Sequence, residues 1–584
     1  MPCSISCPPG LLALMAPGLA LMATFSLPSQ AGDRRALPVE KSPGVKGRTL
    51  ILLDVNTKSP VRIISENFLS LQLDPSIIHD GWLDFLSSRR LVTLARGLAP
   101  PFLRFAGKRT DFLQFHNVKN PAKSLAISLF SFPFAIDIVR SDIALDKQKG
   151  CKIAQHPDIM LELQREKAAQ MHLVLLKEQF SNTYSNLTLT ARSLDKLYNF
   201  ADCSGLHLIF ALNALRRNPN NSWNSSNALS LLKYSASKKY NISWELGNEP
   251  NNYRTLIGRS VNGSQLGKDY IQLRSLLQLI RTYSRANLYG PNIGRPRKNV
   301  MALLEGTRTG AELMPVVSFL SSCFPCSYYI DGRVAKVTDF LKTRLLDTLS
   351  DQIRKIQKVV NAYTPGKKIW LEGVGATSAG GMNNLSDSYA AGFLWLNTLG
   401  LLASQGIDVV VRHSFLDHGH NHLVDQNFNP LPDYWLSLLY KRLIGPKVLA
   451  IHVAGLQRKP RPGRVIRDKL RIYAHCTSSH NHNYVRGSIT LYIINLHRSR
   501  KKIKLAGTLR DKIVHQYLLQ PYGKDGLHSK SVQLNGQPLA MVDDGTLPEL
   551  KPRPLRAGRT LVIPPLTMSF YVVKNVNALA CRYR

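Results

Sequence analysis

The sequence predicts an α/β fold: a TIM-type (β/α)8 barrel with an appended all-β sandwich. Three observations point there. Between Val61 and Gly445, short apolar β-rich runs alternate with amphipathic helical segments, the pattern of successive βαβ units. Within that alternation, Asn241-Ile242-Ser243-Trp244-Glu245-Leu246-Gly247-Asn248-Glu249-Pro250 reads as an apolar strand that turns polar at its far end. Catalytic groups of such barrels sit at the C-terminal ends of strands. After Gly445 the helical spacing disappears, and short strands between Gly, Pro and Asn turns indicate a sandwich. A doubly wound sheet is the alternative to a barrel. No Gly-rich phosphate loop follows any strand, so nothing calls for a nucleotide or another cofactor.

In chain order, Arg48 to Val55 reads as a strand, and residues 48–60 are expected to pair with the sandwich, since a closed barrel offers no sheet edge. Residues 61–445 form the barrel. Val61 to Leu73 contains a strand, and Phe102 to Gly107 is a buried strand ending in a turn. Residues 108–158 are an irregular, linker-like insertion, within which Leu125 to Val139 is unusually apolar. Helices are expected over Thr190–Ala201, Asn227–Lys239, Lys268–Ala286, Val337–Tyr363, Ser386–Ser404 and Leu431–Leu443, the last starting at Pro432 and stopping at Gly445. Strands His207–Asn213, Asn287–Gly290, Lys368–Leu371 and Ile407–Arg412 lie between them. Residues 446–584 supply the sandwich, through Leu470–Ala474, Ser488–Leu496, Val514–Leu519 and Thr560–Val573.

A chain of 584 residues exceeds one ordinary core, which fits two folded units. At 44% hydrophobic and 20% charged it has a globular composition. Lys and Arg number 76 against 38 Asp and Glu, a net charge of +38 that favours a polyanionic partner. The N-terminus narrows the choice. Leu11 to Phe25 is an almost unbroken apolar run followed by Ser29-Gln30-Ala31, the pattern of a signal peptide over residues 1–31. Its n-region lacks Lys and Arg, which leaves a retained anchor as the alternative. No later segment is long and apolar enough to span a bilayer. Sequons at Asn186, Asn220, Asn224, Asn241, Asn262 and Asn384 are candidate glycosylation sites of a secreted chain. Secretion favours glycosaminoglycans over nucleic acid, with a location in the extracellular matrix or on cell-surface proteoglycans.

Past the leader the cysteines are Cys151, Cys203, Cys323, Cys326, Cys476 and Cys581. Cys323 and Cys326 have no matching second pair, so the spacing is not a zinc framework. Disulfides are expected in an oxidising compartment, with Cys151, Cys203, Cys476 and Cys581 as candidates. The sequence does not fix their connectivity, although Cys476 and Cys581 both fall in the β-rich tail and could pin its end. His480, Asn481, His482 and Asn483 read as a polar turn rather than a metal site.

Retaining glycosidases use two carboxylates about 5–5.5 Å apart, one acid/base and one nucleophile. If Glu249 ends the fourth strand, a nucleophile belongs on the seventh. At about 40 residues per βα unit that falls near position 370. Lys368-Ile369-Trp370-Leu371-Glu372-Gly373-Val374 lies there.

Trp244 to Pro250, His422-Leu423-Val424-Asp425 and Leu431-Pro432-Asp433-Tyr434-Trp435-Leu436-Ser437-Leu438-Leu439, with Cys476 and Cys581, resemble the heparanase family. The resemblance covers nearly everything from Arg48 onward. It implies a TIM barrel carrying a β-sandwich, acting on heparan sulfate. Active members are retaining endo-β-glucuronidases, and their acid/base role would fall on Glu249, beside Asn248. The seventh strand departs from their pattern. Active members resemble Trp-Leu-Gly-Glu-Thr, whereas Glu372 here comes one residue early. Alternation along a strand then turns Glu372 away from the cleft and leaves Gly373 at the nucleophile position, unless a bulge re-aims it. Active members also resemble Gly-Ala-Gly-Asn-Tyr-His-Leu-Val-Asp before the last helix. Here Asp417 to Asp425 replaces the tyrosine by Asn421 and adds a negative charge at Asp417. Cys323 to Ser327 departs as well, and the segment that the family cleaves would lie within residues 108–158.

Basic clusters keep the polyanion reading. Arg498, Arg500, Lys501, Lys502 and Lys504 form the densest run; on a strand, Arg498, Arg500, Lys502 and Lys504 would share one face. Arg458, Lys459, Arg461 and Arg464, and Arg295, Arg297 and Lys298, form two further clusters suited to sulfate. The sequence therefore leads to a secreted heparan sulfate-binding protein on a glycosidase scaffold without hydrolysis, able to compete with an active heparanase. The alternative is a working endo-β-glucuronidase. Nucleic-acid binding is disfavoured by the leader and the sequons.

Overall fold

The structure, a computed structural model, describes residues 50–79, 81–117, 143–146, 151–154, 181, 183–294, 299–307, 314–320, 330–331, 334–378, 381–417, 419–454 and 468–582. The leader, Leu125 to Val139, Cys323 to Ser327, the Arg295 cluster and the Arg458 cluster all lie outside those residues.

Parallel strands form the barrel in chain order: Leu69–Leu73, Phe102–Phe105, His207–Leu212, Ile242–Leu246, Leu288–Tyr289 with Asn292–Ile293, Val316–Leu320, Lys368–Val374 and Val409–Arg412. The two short segments are halves of one interrupted fifth strand, one pairing the fourth strand and the other the sixth. Pairing of Val409–Arg412 with Leu69–Leu73 closes the ring. The strands are apolar because both faces are covered, by helices outside and by side chains inside. Inside, Phe102, Ile209, Tyr289, Val316, Trp370, Val409 and Val411 fill one layer, with the Phe102 and Trp370 rings 5.2 Å apart. Toward the C-terminal ends of the strands the interior turns polar: Gln72, Arg104, Glu245, Asn292, Ser318 and Glu372, all buried.

The helices follow the expected apolar spacing. Ala191–Ser204 starts at Thr190, whose hydroxyl accepts the Ser193 N–H, and stops at Gly205 in the left-handed region. The single helix expected over Val337–Tyr363 is divided into a 3-10 turn, Val337–Leu341, and a helix, Thr343–Tyr363, with Lys342 extended between them. The last helix, Pro432–Leu443, is not stopped by Gly445: the chain enters the strand Ile444–Leu449 directly. No described helix is long and apolar enough to cross a membrane.

Two sheets make the sandwich. The smaller orders Ile451–Ala454, Ile51–Val55, Lys501–Leu505 and Leu561–Ile563, so the N-terminal strand pairs into this unit. The larger is antiparallel and includes Ile444–Leu449, Leu470–Thr477, Ile489–Asn495, Thr567–Val573 and Val514–Pro521. Arg62–Ile63, assigned to the barrel from sequence, joins this sheet beside Ile444–Leu449. Ile51, Leu53, Ile472, Leu491, Ile493, Ile503 and Tyr571 pack between the sheets. The opposite face of the larger sheet lies on barrel helices: Tyr473 donates to Asn397 Oδ1 (2.9 Å) and Arg471 pairs with Asp347 (2.6 Å). Disulfides join Cys151 to Cys203 and Cys476 to Cys581.

Candidate functional site

The fourth barrel strand carries the first carboxylate. Ile242–Leu246 is buried throughout, and the chain then breaks at Gly247 (φ +74) and Glu249 (φ +53) before Pro250 opens a short 3-10 turn. A left-handed non-glycine residue costs about 1–3 kcal/mol and persists only when its surroundings hold it. Asp111 does much of that holding. Its carboxylate accepts the N–H of Ala214 (2.9 Å), the N–H of Asn248 (2.9 Å) and the Tyr253 hydroxyl (3.1 Å). Burial pushes Asp111 up to about 6 despite these donors. Asn252 N–H closes the turn on the Glu249 carbonyl (2.8 Å). The Glu249 side chain is nearly buried and lies over the end of the fifth strand, where a Cβ on Gly294 would come within 2.8 Å of its Oε1. Only glycine leaves that space.

The seventh strand carries the second. Glu372 meets side chains from the second, fifth and sixth strands: it pairs with Arg104 Nε (3.1 Å), accepts from Asn292 Nδ2 and hydrogen-bonds Ser318. Arg104 Nε also binds Glu245 Oε2 at 2.9 Å, and its NH1 donates to Gln72 (3.2 Å). Contacts with Arg104 and Glu245, on strands not adjacent to its own, are reachable only through the barrel interior. Glu372 is therefore sunk inside the barrel, not turned to its outer face as the alternation argument expected. The parity that places Trp370 inside places Glu372 inside as well.

The irregularity comes one residue later. Leu371 stands opposite Val410 and Val374 opposite Arg412, so the seventh strand holds one extra residue, and Gly373 takes φ +64 there. The bulge is present, yet it follows Glu372 and does not lift it.

Electrostatics set the state of this cluster. Burial raises Glu372 well above the ordinary carboxylate range; Arg104 opposes this and Glu245 adds to it. For Arg104, burial alone would lower the pKa, but Glu245 and Glu372 together raise it. Two carboxyls share one cation in a water-excluded layer, which disfavours ionisation of both at once.

After the eighth strand, Arg412 ties the rim together. It donates to the carbonyl of Asn421 (2.7 Å), pairs with Asp433 (2.8 Å) and lies over the Trp395 ring. Asn421 is buried and bonded to the Thr377 backbone, donating to its carbonyl at 2.8 Å. Asp417 is not a bare charge. It is buried, with His413 Nε2 and His422 Nδ1 each 3.6 Å away.

The basic run lies elsewhere. The strand begins only at Lys501, so Arg498 and Arg500 sit in the preceding turn, and Lys502 and Lys504 alone share the outward face. The expected four-residue row is therefore two residues long. Lys502 stands opposite Val562 and Lys504 opposite Leu52, both exposed, on the sheet remote from the barrel. The structure does not bring this run to Glu249. Among the sequon asparagines, Asn186, Asn220, Asn241, Asn262 and Asn384 are exposed and Asn224 is half-buried.

Sequence reasoning missed Arg104, Glu245 and Asp111. For the first two a signal existed: a charge in the middle of an apolar barrel strand, in Phe102-Leu103-Arg104-Phe105 and Ser243-Trp244-Glu245-Leu246. A lone buried charge is costly, so two of opposite sign on strands of one barrel ask to be paired.

Residues 155–400 match the family model described as glycosyl hydrolase family 79, N-terminal domain. The chain is 82% identical over its full length to inactive heparanase-2 of Homo sapiens, covering 98% of that protein. It is 45% identical to heparanase of Mus musculus, with 91% of this chain and 94% of that one aligned. Among solved structures it resembles a 4-O-α-L-rhamnosyl-β-D-glucuronidase from Fusarium oxysporum (TM-score 0.57, 13% identity, 89% of this chain and 100% of that chain). It also resembles an α-L-arabinofuranosidase from Thermotoga maritima (TM-score 0.55, 11% identity, 90% and 100% covered). At such identities the structural likeness concerns the fold alone.

Proposed function

The chain belongs to the heparanase family of glycosyl hydrolase family 79, and from that premise we propose that it is a secreted heparan sulfate-binding protein that does not hydrolyse its ligand. The observation that carries the reading is the state of Glu372. A retaining nucleophile must be ionised and face the anomeric carbon across from the acid/base group. Glu372 is instead held inside the barrel by Arg104 and Asn292, where burial disfavours its ionised form, while the bulge position after it is Gly373. Glu249 keeps the place of an acid/base residue in an inherited cleft. The name of the human relative, inactive heparanase-2, supports the same conclusion.

Binding rests on the net charge of +38 and on the exposed Arg498, Arg500, Lys502 and Lys504, which suit sulfate through charge-assisted hydrogen bonds. A protein that occupies heparan sulfate chains without cutting them competes with an active heparanase for substrate. Secretion, glycosylation at the exposed sequons, and residence on matrix or cell-surface proteoglycans belong to this proposal. The test is incubation of the purified protein with size-defined heparan sulfate, combined with a competition assay against active heparanase. Unchanged chain length together with slowed cleavage by the active enzyme is expected. Shortening that vanishes in Glu249→Gln would establish the alternative, a working endo-β-glucuronidase.

A further inference from the structure

We propose that Asp387, His420 and His422 form a divalent metal site, best suited to zinc, joining the loops that follow the seventh and eighth barrel strands. Each residue offers one ligand atom, and these atoms lie within 4.8 Å of one another. Two imidazoles and a carboxylate are a zinc donor set that leaves a fourth position open for water or a ligand. Small side-chain rotations bring such donors to the bond lengths of about 2.0–2.2 Å that zinc makes to nitrogen and oxygen.

The second observation is unsatisfied polarity. Asp387 and His422 are both buried, yet Asp387 Oδ1 and His422 Nδ1 have no hydrogen-bond partner. A buried polar atom left unpaired is unfavourable, and two of the three residues carry one. Lys530 holds only the other Asp387 oxygen (Nζ–Oδ2 2.9 Å), which leaves Oδ1 available. His420 is partly exposed and gives an ion its way in.

The backbone is already fixed for this role. Asn421, between the two histidines, is bonded to Thr377 through its side chain and to Arg412 through its carbonyl. The His420 and His422 ring centroids lie 6.2 Å apart, which places the two imidazoles together. Asp387 is set just before the helix Tyr389–Gln405. The site therefore uses His420 and His422, which the proposed function leaves without a task.

The full chain, stripped with EDTA and dialysed, is titrated with Zn2+ by calorimetry and then loaded with Co2+ for visible absorption. One equivalent of Zn2+ and the intense visible bands of four-coordinate Co2+ are expected. His420→Ala and Asp387→Asn should each weaken Zn2+ binding at least tenfold, while the double variant His480→Ala/His482→Ala leaves it unchanged. The His420 ring is partly exposed, so this variant keeps the fold, and unchanged circular dichroism is the check. Absence of saturable Zn2+ binding overturns the proposal, and so does binding that survives both His420→Ala and Asp387→Asn.

Discussion

Burying a second carboxyl beside the Arg104–Glu245 pair leaves one cation for two acids, and burial raises Glu372 well above the ordinary carboxylate range. The sign of its pH dependence follows. The folded-state pKa is raised above 4.5, so the stabilisation is full below the unfolded value and is lost as pH rises through the folded one. Glu372→Gln mimics the neutral form. It should unfold in urea at a concentration equal to or above that of the parent at pH 7.5, and its advantage should be larger there than at pH 5. Arg104→Met should cost about 3–5 kcal/mol, because it strands Glu245 without a counter-charge. Removing the acceptor that pins the Asn248–Glu249 turn, by Asp111→Ala, should cost about 1–3 kcal/mol in the same assay. At this scale the sequence disclosed residue types better than directions. Glu249 is legible from the polar end of an apolar strand and Glu372 from its spacing to it, but the face of Glu372 is not, because the parity up to Glu372 is that of Trp370 and the bulge comes after it at Gly373. Asp111 offered no signal, since its partners are backbone N–H groups distant in sequence.

Strands and helices with strong period were legible, and those that depend on tertiary partners were not. The sixth barrel strand, Val316–Leu320, went unassigned from sequence: five residues without alternation carry little local information, and pairing with Lys368–Val374 defines them. Arg62–Ile63 was placed in the barrel for the same reason, although only the sandwich strand Ile444–Leu449 gives it a partner. The sandwich strand Leu470–Thr477 carries the clearest pH sensor among the elements. His475 is buried between Gly445 and Tyr492, and burial lowers it to about 4. A depressed value favours the fold above 6.5, and that contribution is lost as pH falls from 6.5 towards about 4. The shift corresponds to about 3 kcal/mol. Acid unfolding over that window should therefore be blunted in His475→Asn, read as a smaller fall in urea midpoint between pH 7 and pH 5. Nearby, the Cys476–Cys581 bond closes a loop of 105 residues. Cys581→Ser should lower stability by about 2–4 kcal/mol through the freed unfolded chain.

For the whole molecule, the fold class was legible because βα alternation and the change of character after Gly445 are long-range patterns that local errors do not erase. What could not be read was how the parts meet: the larger sandwich sheet packs on the barrel helices through Arg471 and Tyr473, and the basic strand Lys501–Leu505 faces away from that junction. The proposed polyanion binding belongs to this scale. With +38 net charge, retention on heparin should fall steeply with salt, and Lys502→Glu/Lys504→Glu should elute at lower salt with the fold intact. Salt-insensitive retention would remove the basic surface from the account. A barrel that keeps Glu249 but buries Glu372 should no longer cut heparan sulfate. Size-defined heparan sulfate incubated with the purified chain tests this directly. Chain length should stay constant, identically for the parent and for Glu249→Gln, while the chains remain bound; shortening by the parent that Glu249→Gln abolishes would contradict it.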